Sequence, residues 1–446
     1  MVTSVNRALD QPYLEDFMVR NAFTAGIDFT QYFKNRLYYI DVKGMLSSLH
    51  GSAGAITALQ NSVAHYYQRA SSADYLGVDP TRRSLTGTGG YVKVGRKGNA
   101  KWNFSETFTW SSPGFDLNDM GYMKETDYLM NETEIMYRQT DIWKIFRYNA
   151  FTLSQKNMWN YGGTPFSNNA SLRWQSMTMN RYEWDVKETF AWNWLDSRLL
   201  RGGPDVRFGS YFLTSAKFNT DKAKRMMFML KYEGDHNFEG NRFNTISPSL
   251  TFRLGNHVYL SGQLDYAWNT DEMQYVATTS PLSSSSLTPY YYVMGHMDQK
   301  TYGLTLKLQV NVTPDISIQF YGAPFTSIAK YDDFKLAADT KSHTFENRFQ
   351  RIDPDHLTYA DGVYTIGEGA GQMPFRNPDF RFNEFRSNLV ARWEYLPGST
   401  LYFVWEHRMS NRDNWYSSGW GSNLDRMWGL PATNTFMIKM NYWFNL

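Results

Sequence analysis

The 446 residues carry 45 basic and 43 acidic side chains, interspersed to a net charge of +2, which leaves no footprint of a nucleic-acid or anionic-surface binder. There is no cysteine, hence no disulfide framework or thiolate metal site, and no apolar run near the roughly 20 residues of a spanning helix. Aromatics reach 17% (31 Tyr, 30 Phe, 15 Trp) against a mean hydropathy of −0.54, a combination that a transmembrane β-barrel produces with ring girdles outside and a watery lumen inside.

In chain order, the N-terminal MVTSVNRALDQPYLEDFMVRN lacks the basic start, apolar core and small-residue cleavage site of an export signal, so an exported protein would begin further upstream. Two-residue alternation then predicts a strand at Tyr38 to Leu46. Ala53 to Arg69 places Ile56, Leu59, Val63, Tyr66 and Tyr67 near helical spacing, predicting a short amphipathic helix that either plugs the lumen or packs over the mouth. Weaker alternation at Trp102 to Trp110 and Trp184 to Trp194 is interrupted on the apolar face by Glu106 and Glu188, marking strand parts beyond lipid if both segments are strands.

Val258 to Thr279 and Pro289 to Val312 read as two long strands joined by the Ser-rich tip Leu282 to Leu287. Thr301 to Val312 is the clearest: Tyr302, Leu304, Leu306, Leu308, Val310 and Val312 share one side, opposite Thr301, Gly303, Thr305, Lys307, Gln309 and Asn311. Pro314-Asp315 turns the chain into Ile316, Ile318 and Phe320. Leu389 to Tyr395 and Leu401 to Trp405 continue the pattern, with Pro397-Gly398-Ser399 as a tight turn between them. The terminal stretch Thr435 to Leu446 sets Phe436, Ile438, Met440, Tyr442, Phe444 and Leu446 against Met437, Lys439, Asn441, Trp443 and Asn445, the alternation of a barrel's closing strand or of a soluble sandwich's edge.

Tight turns are expected at Lys34-Asn35, Gly98-Asn99, Asn180-Arg181, Thr220-Asp221, Gly255-Asn256, Pro314-Asp315 and Pro397-Gly398. Longer connections alternate with them, at His50 to Thr88, Ser111 to Met123, Asp196 to Asp205, Gly322 to Arg386 and Asn411 to Asn434. That is the periplasmic-turn, external-loop pattern of an all-β outer-membrane barrel, with one barrel domain over residues 1–446 and a large external loop at 322–386. Roughly seventeen strands are expected, within the size range of such barrels. An odd count makes the first strand run down from outside, and single-chain barrels have even counts, so the chain reads as an N-terminally truncated piece of a barrel of 18 or more.

Several blocks together resemble a Bacteroidetes-type family of outer-membrane proteins with a C-terminal barrel domain of unknown function. They include RWEYLPGSTLYFVWEHR at Arg392 to Arg408, SPGFDLNDMGYM at Ser112 to Met123, LRGGPDVR at Leu200 to Arg207 and NVTPDISIQFYGAPF at Asn311 to Phe325. The resemblance implies an envelope barrel usually preceded by a domain similar to family-9 carbohydrate-binding modules. Nothing in these residues corresponds to that domain.

Side chains with chemistry are sparse. Asp116, Asn118 and Asp119 gather oxygen ligands suited to a hard cation, without the spacing of an EF-hand, and turn-capping competes for the same residues. Asp353, Asp355 and Asp361 read the same way. The eight histidines show no HExxH spacing and no G-x-S-x-G motif is present, so a rim Asp-His or Ser-His pair would come from residues distant in sequence; His407, between Glu406 and Arg408, is the nearest candidate. Arg201-Gly202-Gly203-Pro204 reads as a shaped loop, not a phosphate cradle. Asn414, Trp415, Tyr416, Trp420 and Trp428 supply rings on which a sugar could stack. No cofactor is implied. The expected partners are outer-membrane lipid, with glycans or other envelope proteins beyond it, and no nucleic acid. The expected function is a structural or transport component of the envelope; the alternatives are a plugged, partner-binding scaffold and a hydrolase with its site on the rim.

Overall fold

Strands dominate the computed structural model, which describes residues 1–69, 74–98, 100–119, 121–192, 194–282, 290–413 and 419–444. One antiparallel sheet holds nineteen strands, eighteen of which follow one another as an up-and-down wall. They are β1 (Val2–Asn6), β2 (Asn21–Phe33), β3 (Tyr38–His50), β4 (Ser84–Arg96), β5 (Trp102–Ser111) and β6 (Tyr128–Gln139). Next come β7 (Phe146–Trp159), β8 (Pro165–Thr178), β9 (Glu183–Trp192), β10 (Tyr211–Asn219), β11 (Met226–Asn237) and β12 (Arg242–Leu254). The wall ends with β13 (Val258–Thr279), β14 (Tyr291–Asn311), β15 (Ile316–Ala337), β16 (Phe380–Leu396), β17 (Ser399–Asp413) and β18 (Ala432–Asn441). The nineteenth strand, Phe349–Arg351, adds to the upper end of β15.

The register sorts side chains onto two surfaces. Phe252, Leu260, Leu308, Phe320, Leu389, Trp405 and Phe436 lie in one cross-strand row, and Ile135, Leu153 and Leu172 in another whose members are all exposed. On the opposite surface Lys43 pairs with Asp28 at 3.2 Å, the Tyr91 hydroxyl donates to Asp41 at 3.0 Å, and Arg173 Nε donates to Asp185 at 2.7 Å. An apolar, exposed exterior around a polar, hydrogen-bonded interior is the construction of an outer-membrane-type antiparallel β-barrel wall.

All seven expected tight turns join consecutive strands, and an eighth, at 140–145, joins β6 to β7. At the other end the connections are not uniformly long: 160–164 and 238–241 are short, so the strict alternation fails there. β15 runs on to Ala337 and β16 begins at Phe380, which narrows the large excursion from 322–386 to 338–379. Above Gly322 the inward side chains of β15 are covered by loops, so the alternation expected of a half-lipid, half-water strand disappears. The closing strand stops at Asn441. The Ser-rich tip, beyond Leu282, falls outside the described residues.

β1 is an unexpected element. It pairs with Asn21–Ala25 only, and the Met1 amino group donates to the Gly26 carbonyl at 2.9 Å, so residue 1 sits part-way down the wall and not outside it. Glu106 and Glu188 also differ from expectation, because both project outward among apolar neighbours instead of lying beyond the strands' apolar stretch. Each is held by a cross-strand threonine, Thr133 at 2.6 Å and Thr214 at 2.7 Å, which supplies one hydrogen bond to a carboxylate in an apolar band.

Candidate functional site

Several long connections do not stand away from the wall; those at 51–83, 112–127 and 338–379 fold against its inward surface at the loop end. In the 51–83 connection, α1 (Ala53–Gln60) is capped by Ser52, whose hydroxyl accepts from the Ala55 amide at 3.0 Å. Its Ile56 packs with Tyr67 and the inward-facing Leu85. The helix stops at Gln60, earlier than the spacing suggested, because Gln60 turns its amide to the Asp79 carbonyl at 2.9 Å and the chain reverses. Loop 112–127 lies beside it: the Asp116 amide donates to Ser47 Oγ at 2.9 Å, and buried Phe115 rests on β4. That approach needs glycine. A Cβ at Gly87 would stand 2.1 Å from the Phe115 nitrogen, and one at Gly89 2.4 Å from its ring. On the far side of the mouth, strands Leu357–Ala360, Val363–Ile366 and Met373–Arg376 place Ile366 and Phe375 on Met297, Ala329 and Tyr331, which face inward from β14 and β15.

Between these two bodies lies the 193–210 connection, where Trp194–Asp196 pairs with Val206–Phe208 as a hairpin. It touches loops rooted six strands away on either side. Arg69 from the β3–β4 loop donates to Ser197 Oγ at 3.2 Å; Thr340 and Arg348 from the β15–β16 loop reach the Asp205 carbonyl at 2.7 Å and the Arg207 carbonyl at 2.8 Å. Arg201 lies over the Tyr275 ring at 4.5 Å, and Gly203 lets the hairpin's tip sit where a Cβ would strike Tyr292 at 2.6 Å.

Two buried ion pairs rivet this layer. Asp127 accepts from Arg69 at 2.5 Å, from the Tyr75 hydroxyl at 2.6 Å and from the Tyr161 amide at 3.0 Å, joining three loops at one carboxylate. Burial, then the bond to Asp127, pushes the Tyr75 phenol well above its ordinary range. Arg348, with 1% of its side chain exposed, makes a bidentate pair with Glu239 at 2.7 and 2.9 Å. A cavity of about 220 Å³ opens beside the first rivet, lined by Lys124, Glu125, Phe166, Trp194, Asp196 and Arg198. Arg198 is itself paired with Glu125 at 3.3 Å.

His65 and Asp116 meet as well, Nε2 to Oδ2 at 3.8 Å, while Nδ1 lies 3.1 Å from Ser62 Oγ. This is the pairing of residues distant in sequence anticipated for a rim site, but the ring is buried and 3.8 Å is beyond hydrogen-bond reach, so the three groups do not form a proton relay. Burial holds the His65 imidazole below its ordinary value; Asp116 opposes the shift and Arg198 adds to it. A histidine kept neutral by folding stabilises the layer fully above about pH 6.5 and progressively less as pH falls below it, because the opened loop takes up the proton first. Hydrogen exchange of 61–69 and 112–127, corrected for intrinsic rate, should therefore quicken between pH 7.5 and 5.0, and His65→Gln should abolish that difference.

The profile of a domain of unknown function, DUF5916, matches residues 50–446. The chain belongs to the DUF5916 family. No protein of curated function matches it. Among solved structures it is similar to the siderophore receptor PirA from Acinetobacter baumannii, with 9% identity, a TM-score of 0.38, and coverage of 94% of this chain and 70% of that one. It is also similar to the ferric enterobactin receptor PfeA from Pseudomonas aeruginosa, with 9% identity, a TM-score of 0.32, and coverage of 86% and 73%.

Within this DUF5916 chain the expected site residues disperse. Asp116 takes the Asn118 amide at 2.7 Å, Asn118 Oδ1 takes the Met123 amide at 3.0 Å, and Asp119 pairs with Arg7, so the three oxygen-bearing groups serve the turn and one ion pair. Among the described residues no three His, Asp or Glu side chains are grouped to hold a metal. Trp415 and Tyr416 lie outside the described residues; Trp420 opens α2 (Trp420–Trp428). The Trp428 ring meets Phe385 on the exterior edge-on at 4.8 Å, and His407 Nδ1 lies 2.9 Å from Asn434 Oδ1 beside Trp405, so both belong to an aromatic border of the wall. The rivets Arg69–Asp127 and Arg348–Glu239 escaped the sequence reading, since 58 and 109 residues separate the partners and no local pattern marks them.

Proposed function

We propose that this chain is the lipid-spanning wall of an outer-membrane protein, with the loop end outside the cell, and that it works with its mouth shut. It is an envelope scaffold whose knitted loops present a surface to other envelope components, and solute passes only when those loops yield. The observation that supports this reading is the packing of loops onto the wall's inward face, bridged by the 193–210 hairpin to loops rooted six strands away on both sides. A glycan-associated role, which the family resemblance implies, would belong to the outer surface of this loop layer.

Planar bilayers test the closed mouth directly. The wild-type protein is expected to insert without a sustained open-pore current, and replacement of 194–208 by a short Gly-Ser linker should produce one. A steady, large conductance from the unaltered protein would overturn the reading.

A further inference from the structure

The two ends of the wall carry opposite charge. The eight tight turns, taken between strand ends, hold nine basic residues and three acidic ones, whereas the connections at the loop end hold fourteen basic and twenty acidic. At the turn end Lys34, Arg36, Arg181, Lys224 and Arg225 are exposed, and among the described residues none of them pairs with a carboxylate.

Two of these cations share a cavity. Between the β8–β9 and β10–β11 turns lies a space of about 470 Å³ lined by Arg181, Lys224, Met179, Tyr182, Met226 and Phe228. That is within the roughly 300–1,000 Å³ of a small-molecule site. Asp221 lines it too, but its Oδ1 accepts from the Ala223 amide at 2.9 Å, and the adjoining Lys222 is already paired with Glu183. The apolar part of the lining belongs to the exterior: Met226 stands opposite Phe252, in the outward cross-strand row, and Phe228 opposite the exposed Leu250. A soluble anion would use the two cations and leave this apolar surface in water. A lipid uses both, its phosphate on Arg181 and Lys224 and its chain along Met226 and Phe228.

The neighbouring 140–145 turn marks the same level. Its Ile142, Trp143 and Ile145 are exposed, Lys144 lies over the Trp143 ring at 5.0 Å, and the Met179 amide at the cavity donates to the Ile145 carbonyl at 2.8 Å. Rings beside cations suit the border between hydrocarbon and headgroups.

We propose that the cavity between the β8–β9 and β10–β11 turns binds an anionic phospholipid, with Arg181 and Lys224 holding the phosphate and Met226 and Phe228 the upper acyl chain. A zwitterionic headgroup would bring its ammonium into the same positive field, so lipids of net negative charge are favoured. The site rests on the reading of this chain as a membrane wall with its loops outside, which makes the leaflet concerned the inner one.

The test is native mass spectrometry of the 446-residue chain released from nanodiscs of mixed phosphatidylethanolamine and phosphatidylglycerol. The wild type should retain phosphatidylglycerol beyond its share of the bilayer. Arg181→Gln/Lys224→Gln should lower that retention about 30-fold, the effect of two cations near an anionic surface. Arg181→Lys should largely keep it. Lys187→Gln/Lys217→Gln, which removes the same charge from the inward face of β9 and β10, should leave it unchanged. Equal retention by wild type and Arg181→Gln/Lys224→Gln overturns the site, as does an equal loss in the inward-face variant. Retention of soluble glycerol phosphate as strong as that of the lipid would also overturn it. A chain that does not enter the nanodisc overturns the wall reading and the site with it, whereas one that enters without preferring phosphatidylglycerol overturns the site alone.

Discussion

Glu239→Ala is expected to release the β15–β16 loop from the mouth while leaving the wall folded. Arg348 is among the most completely buried side chains described; besides its two bonds to Glu239 it donates to the carbonyls of Arg207, Ser342 and His343. Those carbonyls satisfy its N–H groups but not its charge. Removing the one carboxylate strands a cation in a low-dielectric interior, a change that costs about 3–5 kcal/mol when one partner of a buried pair is lost. Glu239 also accepts from the Gly209 amide at 2.9 Å, so the same substitution unfastens the base of the 193–210 hairpin. At roughly 1.4 kcal/mol per decade, local opening should rise roughly 10²- to 10³-fold. Hydrogen exchange reads it at Arg207, whose amide is bonded to Thr340, and at Ala338, whose amide is bonded to Arg348. Glu239→Gln keeps the side chain's shape and one acceptor oxygen while losing the charge and the second acceptor, and should fall between. Unchanged exchange at Arg207 and Ala338 in Glu239→Ala would mean that the pair does not fasten the layer.

The contrast between wall and loop layer explains what could be read from the sequence. Thr301 to Val312 was legible because each of its faces meets one kind of surroundings, so a two-residue period survives without interruption. Turns such as Pro314-Asp315 were legible because their chemistry is local: the Ile316 amide is held by Thr313 Oγ1, three residues back, at 3.0 Å. Gly322 to Ala337 was not, because loop strands cover the inward face that carries Ala329 and Tyr331 while Ile328, on the face of Phe320, is buried as well, so neither face keeps the exposed-or-wet contrast that an alternation rule reads. The loop site was the least legible part. RGGP at Arg201 to Pro204 announced shaped backbone and proves to be a place where backbone closes on a neighbour; SPGF at Ser112 to Phe115, which carried only the family resemblance, proves to be another. Nothing in either segment names the neighbour, since Gly203 meets Tyr292 and Phe115 meets Gly87 only once the wall has set their positions.

The second large effect should come from Asp127→Ala, which removes the carboxylate on which three loops converge. Asp127 has a φ of +63°, in the left-handed region that Asp and Asn tolerate better than other side chains, and its carboxylate is fully buried. The substitution therefore acts twice: Arg69 keeps its place 7% exposed without its anion, and alanine is forced into a backbone conformation that disfavours a Cβ. The first effect alone is about 3–5 kcal/mol and the second adds roughly 1–2 kcal/mol. Asp127→Asn separates them, because it keeps the backbone preference while losing the charge; its single carbonyl oxygen can accept from Tyr75 or from the Tyr161 amide, which bond different oxygens of Asp127, but not from both. Limited trypsin digestion of purified protein gives the readout. Arg69 is protected in the intact layer, so cleavage after it should be slow in the wild type, intermediate in Asp127→Asn and fast in Asp127→Ala, with β5–β9 still protected in all three. Equal cleavage rates at Arg69 across the series would show that the loop is held by its apolar contacts through Ile56, Tyr67 and Leu85 and that the ion pair adds nothing measurable. Cleavage spreading into β6 and β7 would show instead that the loop layer and the wall are one cooperative unit, in which case opening the mouth would require disturbing the strands that carry it.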